Sequence, residues 1–357
     1  MRRQIPYLKP GKRGACALAL SVGLLLSRHS RASGCVGGGA LTGCFDANSL
    51  WLPAGRASFM VLPDTRATAV RQMSFGVAGE WLHGPVTLHV ASPDQGGRSI
   101  HVLDTALDMS FFLAFGVFKS VELSLAAPTR VYQTGAGSGA VASQSAFPLE
   151  RTAVRSPRVG LAYSLDDALA VPGVGVRLAL DAALPLADQS ELSGERSVVT
   201  MPSVALSTRT GAFRLEASLG VRLRQALDYG SVRLGNQGYG ALGLGLEALR
   251  PGLLFVAVEA FMLPSLGESR AAAANATISS ESLVPAEWLL SLHSCFAVGS
   301  PWTLGLAAGG GLPLSSETRE TSAGPTTSHF LGMGTPDFRS LLVLRFTPPE
   351  PTPAAGR

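Results

Sequence analysis

The sequence predicts an all-β fold, a transmembrane antiparallel up-and-down β-barrel of about fourteen strands, with twelve to sixteen compatible with the same pattern. Three observations lead there. Segments of about ten residues alternate apolar and polar side chains with a period of two. The connections between them alternate between short turns rich in Gly and Pro and long loops. Charged residues are only 15% of the 357 and Gly numbers 41, yet no stretch reaches the roughly 20 uninterrupted apolar residues that a spanning helix requires.

The alternation is clearest from Phe213 to Arg224. Phe213, Leu215, Ala217, Leu219, Val221 and Leu223 share one face, and Arg214, Glu216, Ser218, Gly220, Arg222 and Arg224 share the other. A helix would mix the two sets. The same division runs through His101 to Phe115 and Val174 to Leu184. Strands of soluble sandwiches are usually shorter, near five or six residues.

Fourteen strands follow from this pattern: Arg56 to Leu62, Met73 to Trp81, Val86 to Ala91, His101 to Phe115, Val117 to Ala126, Arg158 to Leu165, Val174 to Leu184, Met201 to Thr208, Phe213 to Arg224, Tyr239 to Leu249, Leu253 to Leu263, Glu287 to Val298, Trp302 to Gly310 and Phe338 to Phe346. Leu82 to Pro85, Gly116, Asp166 to Gly173, Arg209 to Ala212, Arg250 to Gly252 and Gly299 to Pro301 serve as short turns. The longest connections are 127–157, 185–200, 225–238, 264–286 and 311–337.

Residues 1–32 have the layout of a cleaved secretory signal: Arg2, Arg3, Lys9, Lys12 and Arg13, an apolar run from Ala15 to Leu26, then small residues around Ala32. That segment holds seven of the 29 Lys and Arg and no acid, so 22 basic residues face 25 acids in the remainder. The basic balance belongs to the leader, and no basic patch with interleaved aromatics speaks for nucleic acid. A Gly-rich periplasmic segment is expected at 33–55, the barrel at 56–346 and a Pro-rich tail at 347–357.

Export permits a disulfide between Cys35 and Cys44, while Ala32-Ser33-Gly34-Cys35 also faintly matches a lipoprotein acceptor. Cys295 reads as a small packing residue.

Parity points twelve charges toward the lumen: Asp104, Asp108, Glu122, Arg177, Asp181, Arg214, Glu216, Arg222, Arg224, Glu247, Glu259 and Arg339. An Arg facing lipid near midplane would cost about 2 to 4 kcal/mol, so the lumen is their place. There they either form a charge-selective constriction or pair across a plugged interior. Trp51, Trp81, Trp288, Trp302, Tyr132, Tyr163 and Phe346 fall near segment ends, where rings sit at headgroup level. The terminal aromatic of Phe338 to Phe346 resembles the signal read by barrel-assembly machinery, and the expected surroundings are outer-membrane lipid and lipopolysaccharide.

No enzyme, cofactor or metal signature stands out. Gly238 to Gly243 matches a dinucleotide fingerprint by letter, but that site needs a strand before it and a helix after it. Small residues alternating along a barrel strand explain it better. The six histidines include no HExxH pair. His293 shares the luminal face with Glu287 and Ser291, which leaves a barrel lipid hydrolase as a third reading, conditional on a serine within hydrogen-bond reach.

Several pieces carry a family resemblance: Val117 to Pro128 running into Val131-Tyr132-Gln133-Thr134-Gly135, then Pro157 to Ala162, Gly235-Asn236, and Gly332-Met333-Gly334-Thr335-Pro336-Asp337-Phe338-Arg339. Over roughly Phe45 to Phe346 the sequence resembles the N-terminal barrel of bacterial outer-membrane proteins that often continue into thrombospondin-type calcium-binding repeats and an OmpA-type peptidoglycan-binding domain. It departs from them in ending after the Pro-rich tail, so cell-wall tethering is not expected. More distantly it is similar to FadL-like and phenol-pathway barrels, a likeness that implies passage of hydrophobic solutes without naming one. The leading expectation is a passive outer-membrane pore or facilitator for an unidentified small solute, with the segment from Ser33 to Gly55 able to enter the lumen as a plug. A sealed barrel acting through its long loops is the structural alternative.

Overall fold

The computed structural model describes residues 44–349, apart from 91–97, 138–148, 166–170, 172, 230–231, 250–252, 268–277, 299 and 322–323. The expected signal segment 1–32, Cys35 and most of the tail lie outside the described residues.

Twelve strands close into one antiparallel barrel. They are β1 (Met73–Val90), β2 (Arg98–Phe118), β3 (Val121–Thr134), β4 (Arg158–Ser164), β5 (Val174–Ala183), β6 (Val199–Thr210), β7 (Phe213–Arg222), β8 (Gln237–Glu247), β9 (Leu254–Met262), β10 (Ala286–Cys295), β11 (Trp302–Gly311) and β12 (Phe338–Phe346). Each pairs with its neighbours in sequence, and β12 returns to β1 with Phe346 opposite Phe75 and Phe338 opposite His83. Closure leaves no unpaired sheet edge, which a bilayer core could not satisfy. Ala153–Val154 adds a short outer pairing to β3.

Twelve is the lower end of the expected range, and two segments account for the difference. Met73 to Trp81 and Val86 to Ala91 are parts of one strand, because the Gly84-Pro85 break is a bulge: the pairing to β2 shifts between His83 and Val86, and Gly84 takes a φ of 63°. A bulge accommodates a residue without an N–H that a regular ladder would reject. Arg56 to Leu62 is not a wall strand at all. Phe59, Met60, Val61 and Leu62 are all fully buried, so this run has no wet face and no lipid face.

Turns at 119–120 and 211–212 lie at the rim where β1 begins and β12 ends. Long connections 135–157, 184–198, 223–236, 263–285 and 312–337 leave from the opposite rim, where Ile278–Ser282, Ser315–Thr321 and Gly324–Phe330 form a small sheet. That asymmetry is the one found in transmembrane barrels, with short turns on the periplasmic side.

The outer wall is apolar: Leu107, Leu161, Leu178, Leu219, Leu244, Val258, Leu290, Leu306 and Leu342 are exposed. Aromatic clusters mark both ends of this belt. Phe75 stacks on Phe346 at 4.9 Å with Trp302 edge-on to both, and Trp81 meets Phe338 at 5.7 Å. Phe75 and Trp81 are six positions apart on β1, roughly 20 Å along a strand, which at the usual tilt of about 40° is a rise of about 15 Å, within the band of about 25 Å usual for such belts.

Residues 44–72 run through the lumen from the long-loop rim to the short-turn rim. Phe45 and Ala47 pack with Leu82, Val86, Val102, Leu103 and Leu192 at the first rim. Further along, Leu50, Leu52 and Phe59 to Leu62 pack with Phe112, Phe255, Phe261, Leu289, Leu341 and Val343. At the far rim Arg71 N–H donates to the Gly116 carbonyl at 2.7 Å, and β1 then begins. The luminal segment is therefore longer than the 33–55 expected, and the wall starts at Met73 rather than Arg56.

Small inward residues make the room. A Cβ on Gly243 would lie 2.7 Å from Leu62 and 2.8 Å from Phe59, and one on Gly305 would lie 2.5 Å from Met60. Overfilling a packed core typically costs about 1–3 kcal/mol. Gly243→Val is expected to loosen the luminal segment while the barrel stays closed, read as new protease cleavage between residues 56 and 72 in folded protein; an unchanged cleavage pattern would show that Gly243 does not seat the segment.

Candidate functional site

The lumen is the candidate site, and its chemistry is set by how the wall charges meet the luminal segment. The densest contact surrounds Asn48. Its Nδ2 donates to Glu80 Oε2 at 2.9 Å and Asp108 Oδ2 at 3.0 Å. Its Oδ1 accepts from Arg339 Nη1 at 3.0 Å and from the Leu50 N–H at 3.1 Å. Arg339, fully buried, also reaches Glu80 at 2.7 Å and clamps Glu287 at 2.7 and 3.0 Å. Ser49 Oγ completes the Glu287 shell at 3.0 Å. On the adjoining wall Arg130 Nε donates to Asp108 at 2.7 Å, and Arg155 joins Asp108 at 3.0 Å to Asp46 at 2.8 Å.

Two further anchors follow the segment inward. Glu259 accepts the Met60 N–H at 2.8 Å and the Val61 N–H at 2.7 Å. Glu122 accepts the Thr68 N–H and hydroxyl at 2.8 and 2.7 Å and pairs with Arg177 at 2.6 Å. Arg345 donates to the Pro53 and Ala57 carbonyls, Arg222 to the Ser49 carbonyl, and Arg214 to the Ser58 hydroxyl. Within the segment, burial works to raise the Asp64 carboxyl, but the charges of Arg66 and Arg56 outweigh it and hold it at about 2. Asp64 thus adds stability above its ordinary value of 3.8 and loses it only as pH falls towards 2.

The parity-derived charges divide accordingly. Asp108, Glu122, Arg177, Glu216, Arg222, Glu259 and Arg339 are buried on the inner face. Arg214 and Asp181 are half-buried there, and Arg224 pairs with Glu195 at 3.0 Å near the long-loop rim. Glu247 pairs with Arg209 at 2.8 Å toward the other rim. Asp104 is not brought into this network: its side chain is 42% exposed with His101 4.0 Å away, and it lies beside the register shifts of the β1–β2 pairing. Glu80, Arg130, Arg158, Glu287 and Arg345 join the lumen by the same alternation.

Trp51 departs from the expected headgroup girdle. It lies in the lumen with the Arg222 guanidinium 4.6 Å and the Arg158 guanidinium 5.2 Å from its ring centre. Beside it is a cavity of about 60 Å³ between the luminal segment and the wall from β3 to β8. Arg158, Arg177, Asp181, Ser203 and Tyr239 supply its polar lining, and Val61, Ala126 and Met201 its apolar one. The segment thus fits tightly against one wall and leaves a gap along the other.

His293 Nε2 is 3.2 Å from Ser291 Oγ, within hydrogen-bond reach. The Ser291 hydroxyl, however, donates to Glu259 Oε1 at 3.0 Å and is wholly buried. Its proton therefore points at the carboxylate, away from the imidazole that would have to take it. Cys44 is buried and disulfide-bonded, and Cys295 is free. No cluster with metal-ligand composition occurs among the described residues.

Removing one partner of a buried, hydrogen-bonded ion pair costs about 3–5 kcal/mol. Arg339→Met is therefore expected to lower the unfolding temperature of the detergent-solubilised barrel markedly, whereas Arg209→Met, at an exposed pair, leaves it within a degree or two. Equal shifts for the two variants would remove the network from its supporting role.

No family model matches the sequence, and no curated protein matches it. Solved structures do match in fold. An outer membrane channel from Pseudomonas putida F1 superposes with a TM-score of 0.53 at 14% identity, covering 79% of this chain and 97% of that one. The toluene transporter TbuX of Ralstonia pickettii gives 0.38 at 11% identity over 88% and 99% of the two chains. The NanC porin gives 0.42 at 8% identity over 77% and 99%. The likeness to the Pseudomonas channel places this chain in the outer-membrane β-barrel fold.

Proposed function

We propose that the protein is an outer-membrane channel for small solutes whose luminal segment narrows the passage to one side. The observation that carries this reading is the one-sided gap beside Trp51 and Tyr239. Three further features support it: the closed barrel, its apolar belt and the arrangement of its rims. The exported precursor with a signal at 1–32, and recognition of Phe346 by the assembly machinery, belong to the same reading. The resemblance to OmpA-type family barrels concerns the wall alone. The small volume of the cavity fits this reading, with a narrow passage for small molecules.

A sealed structural barrel is the second reading, favoured by the bonds of Asn48 to Glu80, Asp108 and Arg339 and by those of Arg339 and Ser49 to Glu287 across the lumen. Single-channel recording in planar bilayers separates the two. Small discrete steps are expected for the native chain, and Trp51→Ala should raise the step size several-fold by opening the gap. Silence from both proteins would favour the sealed barrel. The hydrolase reading has no comparable support, because the one serine beside His293 is closed off.

A further inference from the structure

Among the luminal charges, Arg158 stands apart. It projects from β4 and is only 9% exposed, yet its side chain makes no hydrogen bond and no ion pair within 4 Å with any described residue. The face of Trp51 lies 5.2 Å away, and Asp181 and Glu80 act on its charge from a greater distance. Arg158 lines the cavity, as does Asp181 from the neighbouring strand, whose carboxylate makes no side-chain hydrogen bond or ion pair within 4 Å and feels Arg158 and Arg177 only at longer range. The two are not opposite each other: Arg158 faces Ala183 and Asp181 faces Gly160, so the carboxylate stands one inward position away. Every other guanidinium on this wall has an acceptor: Arg177 has Glu122 and Arg222 has the Ser49 carbonyl.

A guanidinium that is nine-tenths buried normally has its donors filled, and its planar fork matches a carboxylate through two parallel hydrogen bonds. The surrounding surface fits the rest of such a ligand. Ser203 and Tyr239 add polar lining, and Val61, Ala126 and Met201 add apolar lining. The volume of about 60 Å³ suits a molecule of two or three carbon atoms. We infer that the gap holds a binding station for a small aliphatic monocarboxylate, seated on Arg158 with its alkyl end toward Met201 and Ala126. Asp181 limits the charge: a second carboxylate on the ligand would meet it. The inference deepens the channel reading by naming a solute class for the same gap.

The test is equilibrium binding of acetate to the full detergent-solubilised chain, followed by intrinsic tryptophan fluorescence at constant ionic strength with chloride as counter-ion. Saturable change is expected in the native chain and its loss in Trp51→Phe, since Trp51 is the indole against Arg158. Arg158→Gln should weaken acetate at least about tenfold, the scale of one charge-assisted hydrogen bond. Asp181→Asn should tighten it and should newly admit malonate. These opposite shifts keep the test decisive even if one variant folds poorly. An acetate response unaltered in Arg158→Gln, or no saturable response in the native chain, overturns the station. Binding without conductance would leave the station standing and remove the channel; conductance without binding would do the reverse.

Discussion

The interior of this barrel is governed by the need of buried charges for partners. Wall strands that must be apolar outside place their polar residues inside, where many are buried from water. The luminal segment supplies what is missing. Asn48 bridges carboxylates and a guanidinium, while backbone N–H groups of Met60, Val61 and Thr68 satisfy Glu259 and Glu122. A buried carboxylate holding two N–H groups in an aprotic setting is worth far more than the same contact in water. The segment needs no helix or strand of its own because the wall satisfies much of its backbone.

The apolar part of the packing follows from that arrangement. Once polar anchors hold the chain at Asn48, Met60 and Thr68, the stretch between them brings Leu50, Leu52, Phe59 and Leu62 against inward Phe112, Phe255, Phe261 and Leu289. Phe59 meets Phe255 edge-on at 5.3 Å. Inward Gly and Ala on β8 to β11 set how close the chain approaches. The opposite wall, with Ser124, Ala126, Ser203 and Ser218, is equally small, but the segment does not reach across to fill it. Packing on one side and space on the other have a common origin in where the anchoring charges lie.

Much of the wall was legible in the sequence. Alternation alone put Glu216, Arg222, Glu259 and Arg339 inside and Leu219, Val258 and Leu342 outside, because lipid on one face and polar groups on the other leave a period-two record. What fills the lumen was not legible in this way. Within Arg56 to Leu62 the run Phe59 to Leu62 is buried at every position, so its sequence carries no alternation tied to an environment and passes for a short strand. Trp51 looked like an interfacial ring because composition cannot tell a headgroup from a guanidinium as the ring's polar neighbour. Asp104 failed for another reason: it lies where the β1–β2 pairing shifts register twice, and Gly84-Pro85 reads more readily as a turn than as an irregular strand. The small inward residues of Tyr239 to Leu246 were the available hint that something presses against β8.

The direction of the luminal segment bears on how the molecule is built. Its described start lies at the rim of long loops, while β1 starts at the other rim, beside the end of β12. The chain thus crosses the full depth of the lumen and turns directly into the strand that closes the cylinder. Pairing of β12 with β1 sets Arg339 opposite Leu82 and beside Glu80, and Asn48 bonds to both. Seating of the segment and closure of the seam therefore share the same side chains, so whatever weakens one loosens the other.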